Sequence, residues 1–369
     1  MFLCVLLSCG ISLSFSGEEP AFKTNSRFVL GMEKKLSSSV TPVDVDGDGD
    51  LDILVANGRH WPQQNEVFIN NGKGRFLTAY DLGPDRRACY GVPAADLDGD
   101  GDMDVVTAND NTRNEVLLND GKGNFSRSGF FGDPDANTRG IILADMDNDG
   151  DMDALVTNRG GLNFCYLNDG AGNFTDRIPF GKPTDSTIMV VVGDLNGDNR
   201  PDLVLANRDG QSNTVLLQRD RSFVQSQTIG SGRDDTRAVA LADMNNDGFP
   251  DVIAGNIRSA NQIIFNDGRG VFKKTLEFGT KKGKSYSLAV ADLNGDGWLD
   301  IVVGNAGATN KVFFNKGGKL LKEGFFGSDM DTYDVAIADL NGDGKPDIIT
   351  ANSNDLNLVY LNRLRTSGN

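Results

Sequence analysis

The residues with the plainest chemistry are Asp44, Asp46, Asp48, Asp50 and Asp52, five carboxylates in nine positions with Gly49 at the sixth. Like charges this close repel one another in a helix or a strand. In a loop they converge. Oxygens at positions 1, 3 and 5, a backbone carbonyl at 7 and a carboxylate at 9 suit one Ca²⁺, and the glycine allows the tight turn between them. Six further loops begin at Asp96, Asp145, Asp194, Asp243, Asp292 and Asp339, separated by 52, 49, 49, 49, 49 and 47 residues from the first onward. The second carries Asp96, Asp98, Asp100, Asp102 and Asp104, and the third Asp145, Asp147, Asp149, Asp151 and Asp153. The other four put Asn at position 3: Asp194, Asn196, Asp198 and Asp202; Asp243, Asn245, Asp247 and Asp251; Asp292, Asn294, Asp296 and Asp300; Asp339, Asn341, Asp343 and Asp347. Asn keeps a carbonyl oxygen and loses a charge, so weaker binding is expected there, weakest at loop four, where Asn199 replaces the glycine. An EF-hand is excluded, because position 12 is Val55, Thr107, Val156, Leu205, Ala254, Val303 or Thr350 and never Glu.

A period near 49 residues overrides the two-domain expectation for 369 residues. The net charge of −16 becomes −2 once seven divalent cations are bound, so the acidity points to metal and away from nucleic acid. Residues 1–16 are apolar and uncharged, too short to span a membrane, with Ser14 and Ser16 spaced for cleavage before Gly17. They read as an export signal, Leu6 to Cys9 offering a lipoprotein-type alternative, and residues 17–369 as one domain. The expected location is secreted, periplasmic or cell-surface. Cys89 and Cys165 sit at different places in different repeats, which argues against a disulfide framework.

The elements that hold the loops repeat too. A strand such as Thr138 to Ala144 precedes the loop, and a short apolar strand ending in Asn158 follows it. A third strand runs Asn163 to Asn168, then an Asp-Gly turn and a fourth strand from Phe174. Four antiparallel strands per repeat without helical periodicity describe a propeller blade, and the expected fold is all-β with seven such blades. The last repeat stops after its third strand at Asn362, while Asn25 to Leu30 supplies an orphan fourth strand. That segment is expected to complete the last blade and leave no open edge.

The recurring Ala-Asp-x-[Asp/Asn]-x-Asp-Gly-x-x-Asp, the Asn-Asp-Gly-x-Gly-x-Phe turn and pieces such as Phe131-Gly-Asp-Pro134 and Phe180-Gly-Lys-Pro183 resemble FG-GAP or VCBS repeats. The resemblance covers essentially the whole mature chain. It implies a calcium-binding propeller like the integrin α-subunit head. That family includes adhesion proteins, lectin-like modules and some polysaccharide lyases, so it leaves the activity open.

If calcium staples the blades, ligands belong on the opposite face. The sixth residue before each loop is Ser38, Tyr90, Arg139, Ile188, Arg237, Tyr286 or Tyr333. Just beyond strand two come Asn57, Asn109, Asn158, Asn207, Asn256, Asn305 and Asn352, then Arg59, Arg159, Arg208 and Arg258. An acidic chain thus gathers Arg, Tyr and Asn at one mouth. Rings and guanidinium forks suit sugars and their carboxylates or sulfates. The competing readings are turn-forming Asn residues and inter-blade salt bridges. The first repeat alone carries an insertion, Gly58 to Gln64, holding the chain's one histidine, His60, and Trp61. The expected function is a monomeric binding module for a glycan or an extracellular protein, with Arg59, His60, Trp61, Tyr90, Arg139, Arg159, Arg208, Arg237, Tyr286 and Tyr333 as candidate contacts. The alternative is a lyase on an acidic polysaccharide, with His60 as base, Tyr90 or Tyr286 as acid and Arg139 against the uronate. No P-loop, dinucleotide fingerprint or Ser-His-Asp set is present.

Overall fold

The computed structural model describes residues 21–364 and is all-β, with no helix among them. The expected export signal and the small residues around Gly17 lie outside the described residues. Among the described residues no helix is long and apolar enough to cross a membrane.

The third repeat shows how sequence becomes blade. Thr138–Ala144, Asp153–Asn158, Asn163–Asn168 and Phe174–Phe180 lie side by side as one four-stranded antiparallel sheet. Ala144 pairs with Asp153 across the acidic loop, and Ala154 pairs with Tyr166 on the next strand. The second strand is buried on both faces because its neighbours are other blades. Its β-branched and aliphatic residues fit that position. The fourth strand lies outermost, mostly exposed between buried Phe174 and Phe180. The second, fourth and fifth repeats form equivalent four-stranded sheets.

The remaining repeats depart from the expected short strands. Asp300–Asn315 and Asp347–Asn362 each run through what the sequence reads as strands two and three. Leu320–Ala338 and Val29–Val43 each join an outer strand to the inner strand of the next repeat. Val29 and Leu30 pair with Leu358 and Asn357, the partners assigned to the N-terminal segment from sequence. Phe22 and Lys23 add a further pairing, with Asn362 and Leu361, that the sequence did not suggest.

Between blades lie separate apolar clusters. One joins Val106 and Val116 of the second repeat to Ile141 and Val156 of the third. Another joins Val40, Ile53 and Phe68 of the first repeat to Leu340, Ile349 and Val359 of the last. A polar clasp sits beside each cluster. The Asn266 amide donates to the backbone oxygen of Leu195, 2.9 Å away in the preceding repeat, and Asn315 does the same to Met244 at 2.9 Å. Asn119, Asn168, Gln218 and Asn362 repeat the contact to Val45, Leu97, Met146 and Leu293. Asn70 donates to Leu340, joining the first repeat to the last.

These acceptors have no route to water, since Leu195, Met244 and their equivalents are buried. Replacing Asn315 by Ala would strand two carbonyls, those of Met244 and Leu299. The expected loss is about 2 kcal/mol, read as a lower urea midpoint. An unchanged midpoint would show that the clasp contributes nothing.

Candidate functional site

Each acidic loop is held open by its own backbone. In the first, Asp44 accepts from the amides of Gly47 and Gly49 at 2.8 and 2.9 Å, Asp46 from that of Asp48 at 3.3 Å, and Asp48 from that of Asp50 at 2.9 Å. Position 9 does something else. Asp52 is buried, and its two oxygens accept from the amides of Val45 and Asn70 at 3.1 and 2.8 Å. All seven loops repeat this, through Asp104, Asp153, Asp202, Asp251, Asp300 and Asp347. Burial pushes these carboxyls up to about 6 at Asp52, Asp104, Asp153, Asp251 and Asp347, and to about 7 at Asp300.

The donor set fits a hard cation. Ligand oxygens of Asp44, Asp46 and Asp48, of Asp96, Asp98 and Asp104, and of Asp145, Asp147 and Asp153 each lie within 4.8 Å of one another. Desolvation and neighbouring carboxylates raise Asp46, Asp98 and Asp147 above the ordinary range. Asp145 Oδ1 is buried without a hydrogen-bond partner. These are carboxylates short of a counter-charge. The three all-Asp loops of the sequence are the ones with such clusters among the described residues. In loop four, Asn199 takes the left-handed conformation at φ +59°, and Arg200 pairs with Asp198 at 2.7 Å and holds it below its usual range. Position 7 contributes no side chain to the clusters. Asp50, Asp102 and Asp151 lean over the turn glycines Gly72, Gly121 and Gly170, where an added Cβ would meet their oxygens at 2.5 to 2.7 Å. Elsewhere that position is Arg200, Phe249, Trp298 or Lys345.

The opposite mouth is built by a repeated backbone irregularity. Register shifts fall between Ser37 and Ser39, Thr138 and Gly140, Thr187 and Met189, Thr236 and Ala238, Ser285 and Ser287, and Thr332 and Asp334. The skipped residue of each bulge is Ser38, Arg139, Ile188, Arg237, Tyr286 or Tyr333, the position singled out in the sequence. A bulge leaves one residue unpaired and re-aims it. With Tyr90, these residues line a cavity of about 220 Å³ whose wall draws on the inner strand of every repeat.

The mouth separates into spent and unspent groups. The Asn positions are structural: the Asn158 backbone N–H donates to Asn163, its side chain donates to the Leu162 carbonyl, and its oxygen accepts from Thr138. Ser38 donates to the Cys89 carbonyl at 2.7 Å. Arg139 pairs with Asp110 at 2.6 Å and lies over Tyr90, 4.5 Å from its ring centre. Arg159 pairs with Asp209 at 3.0 Å. These two arginines are inter-blade bridges, so Arg139 is not free to face a uronate. Asp110 went unnoticed in the sequence, although it is an acid where the third and fourth repeats have Arg159 and Arg208. Tyr286 meets Tyr333 edge to face at 4.8 Å and does not touch His60.

The insertion reaches across this mouth. Gly58 starts it at φ +99°, where an added Cβ would lie 2.6 Å from the carbonyls of Arg87 and Trp61. Arg59 then stacks 3.7 Å from the Tyr333 ring centre and donates to Ser353 at 2.8 Å. His60 Nδ1 lies 3.0 Å from the Tyr90 hydroxyl and 3.5 Å from Asp110. Trp61 is left 71% exposed. Cys89 and Cys165 are buried free thiols, and burial pushes Cys89 up to about 12, so neither offers a nucleophile.

Blades of four antiparallel strands, acidic hairpin loops on one face and a central channel opening on the other define a β-propeller. The FG-GAP-like repeat matches residues 44–107, 96–156, 145–205, 194–254, 243–303 and 292–350, each match running from one acidic loop past the next, and the chain belongs to that family. The fold is similar to that of BBS1N, crystallised in complex with ARL6DN, at TM-score 0.65 and 12% identity over 94% of this chain and 98% of that one. It is also similar to the WD40 propeller domain of Doa1, at TM-score 0.62 and 13% identity over 94% and 98%. The extracellular domain of BT4673, a one-component system protein of B. thetaiotaomicron, matches at 0.55 and 11%, over 93% of this chain and 40% of that one. No curated protein matches the sequence.

Asp110 is only 4% exposed, so removing its partner leaves a buried charge. Arg139→Ala is expected to cost about 3 kcal/mol, with Arg139→Ala/Asp110→Ala recovering most of it in urea unfolding. No recovery in the double variant would dismiss the bridge as the cause.

Proposed function

We propose that this chain is a secreted, seven-bladed, calcium-stapled binding module whose ligand is an acidic extracellular glycan held at the channel mouth. The carrying observation is the insertion of the first repeat, which presents exposed Trp61 beside Arg59, His60 and the tyrosines of the channel. An exposed indole next to cations and rings suits a sugar face with an anionic substituent. Seven blades closing on themselves are supported by the cluster and the Asn70 clasp that join the first and last repeats, and by the pairing of Val29 with Leu358. Calcium is supported by the all-oxygen clusters and the unpartnered Asp145 oxygen.

Native electrophoresis in calcium through gels holding neutral or acidic polysaccharides tests the glycan. Retardation in acidic gels with the polysaccharide left intact is expected, and Trp61→Ala should abolish it. Free passage through every gel would overturn the glycan reading and favour a protein ligand, the kind of partner BBS1N has in its crystals. A cleared track would favour a lyase, for which His60 against the Tyr90 hydroxyl supplies a proton-transfer pair.

Calcium removal has a separate readout. Chelation with EGTA should lower the thermal midpoint, because each site saturated at a hundred times its Kd adds about 2.7 kcal/mol. Asp147→Ala in loop three should reduce the calcium response more than Asn196→Ala in loop four. An identical midpoint with and without calcium would remove the metal from the account.

A further inference from the structure

A cation without a counter-charge stands in the channel wall. Arg237 is the bulged residue of Asp235–Ala242 and lines the cavity. Among the described residues it makes no hydrogen bond or ion pair, and what it meets is the ring of Tyr286, 5.7 Å from guanidinium carbon to ring centre. A guanidinium carries five N–H donors in a fixed fork, and half-buried Arg237 turns its own toward the cavity with no protein acceptor for them. Elsewhere at this mouth the chain supplies the match: Arg139 has Asp110 and Arg159 has Asp209. Desolvation, with the charge of Arg208 nearby, holds Arg237 below the ordinary arginine range. Arg208 is itself incompletely served, its Nε buried with no hydrogen-bond partner. Asp209, whose carboxylate feels the Arg208 charge, is bonded to Arg159. Arg237 is therefore left without an acid in the cavity wall, with a second guanidinium, that of Arg208, near enough for its charge to be felt, in a protein of net charge −16.

We propose that Arg237, with Arg208 beside it, is a recessed receptor for one carboxylate of the ligand, with Tyr90, Tyr286 and Tyr333 walling the carbon frame that carries it. The planar fork matches a carboxylate in two parallel hydrogen bonds. The cavity, at about 220 Å³, falls below the roughly 300–1,000 Å³ of pockets that enclose drug-sized molecules, so it takes one terminal group and not a chain. This rests on the mouth being the glycan-binding face, and it adds which group is read there: the carboxylate of a uronate residue. Trp61, outside the cavity, would then hold the neutral remainder of the sugar chain.

Calorimetric titration of the full calcium-loaded chain with glucuronate, glucose and N-acetylglycine tests it. Glucuronate is expected to bind at least tenfold tighter than glucose, and Arg237→Met to erase that preference. The free Arg237→Met protein should unfold at the same temperature as the parent or higher, because an unpaired cation has been removed from the wall. A merely structural arginine would give the reverse, a lower midpoint with affinity for glucuronate unchanged, and would overturn the proposal. If the methionine variant does not fold, Arg237→Lys carries the test, since it keeps the charge, loses the fork and should retain only part of the preference. N-acetylglycine binding through Arg237 without glucuronate binding would keep the carboxylate receptor and overturn the glycan reading. Equal binding of glucuronate and glucose would overturn the receptor while leaving the glycan reading intact. No binding of either carboxylate would also overturn the receptor.

Discussion

The structure depends on a buried carboxylate that accepts two backbone amides. Asp52 and its six equivalents tie position 2 of their own loop to the residue that ends strand three, so loop shape and the register of strand three are set together. The residue at position 2 then packs inward, as Leu195 and Met244 do, and its carbonyl receives the clasp from the next blade. One short segment therefore carries loop geometry, blade register and inter-blade contact. Bound calcium would act on all three, since the carboxylates at positions 1 and 9 that would face the ion are the ones already holding this backbone.

The two faces are chemically opposite. The loop face collects carboxylates, and the mouth collects guanidinium groups, Arg237 among them without an ion pair. Arg139 and Arg159 show that the chain pairs arginines where pairing serves the fold. Arg237 sits at an equivalent position of its own repeat and has no such partner. The contrast matters because the scaffold is the same: a bulge, a Thr or Ser before it and an Asn opposite. The Thr236 hydroxyl donates to Asn256 at 2.8 Å just as Thr332 donates to Asn352 at 2.8 Å. The bulged side chain is thus an independent variable on a fixed frame.

Much of the frame was legible in the sequence because it repeats. The loop spacing predicted the hairpins, the turn signals predicted four strands per repeat, and the absence of Glu at position 12 excluded the helical alternative. The bulge was not legible, since a register shift leaves no residue signature when its unpaired position holds Ser, Arg, Ile or Tyr by turns. Pairing was equally hidden: Arg139 and Arg237 look alike in sequence, and only the fold brings Asp110 to the first. The merging of strands in the last repeats escaped too, because the loop residues Ala306 and Ala308 form ladder pairs with Asp331 and Met330 of the strand that follows. The sequence reads position 7 as a backbone-carbonyl ligand, for which the side chain is immaterial. The packing of Asp50 over Gly72 shows why the side chain is free to become Phe249 or Trp298 elsewhere.

A repeat protein supplies its own controls, and that is what singles out the mouth. Position 9 is Asp seven times over, because any other residue would strand two buried amides. The Asn closing strand two is Asn seven times, because its side-chain amide donates each time to a carbonyl just before strand three, and in every repeat but that of Asn109 its oxygen accepts a Ser or Thr hydroxyl. The bulged position is the reverse case. Its backbone role is met by any side chain, so nothing in the fold requires Arg at 237, Tyr at 286 and 333 or Ile at 188. Folding constraints are uniform around the repeats, whereas a ligand bound across a single mouth has different chemistry on each side. Variation at a ring of buried-facing positions that the scaffold leaves unconstrained, joined there by the one insertion that breaks the period, is the pattern an asymmetric ligand would impose.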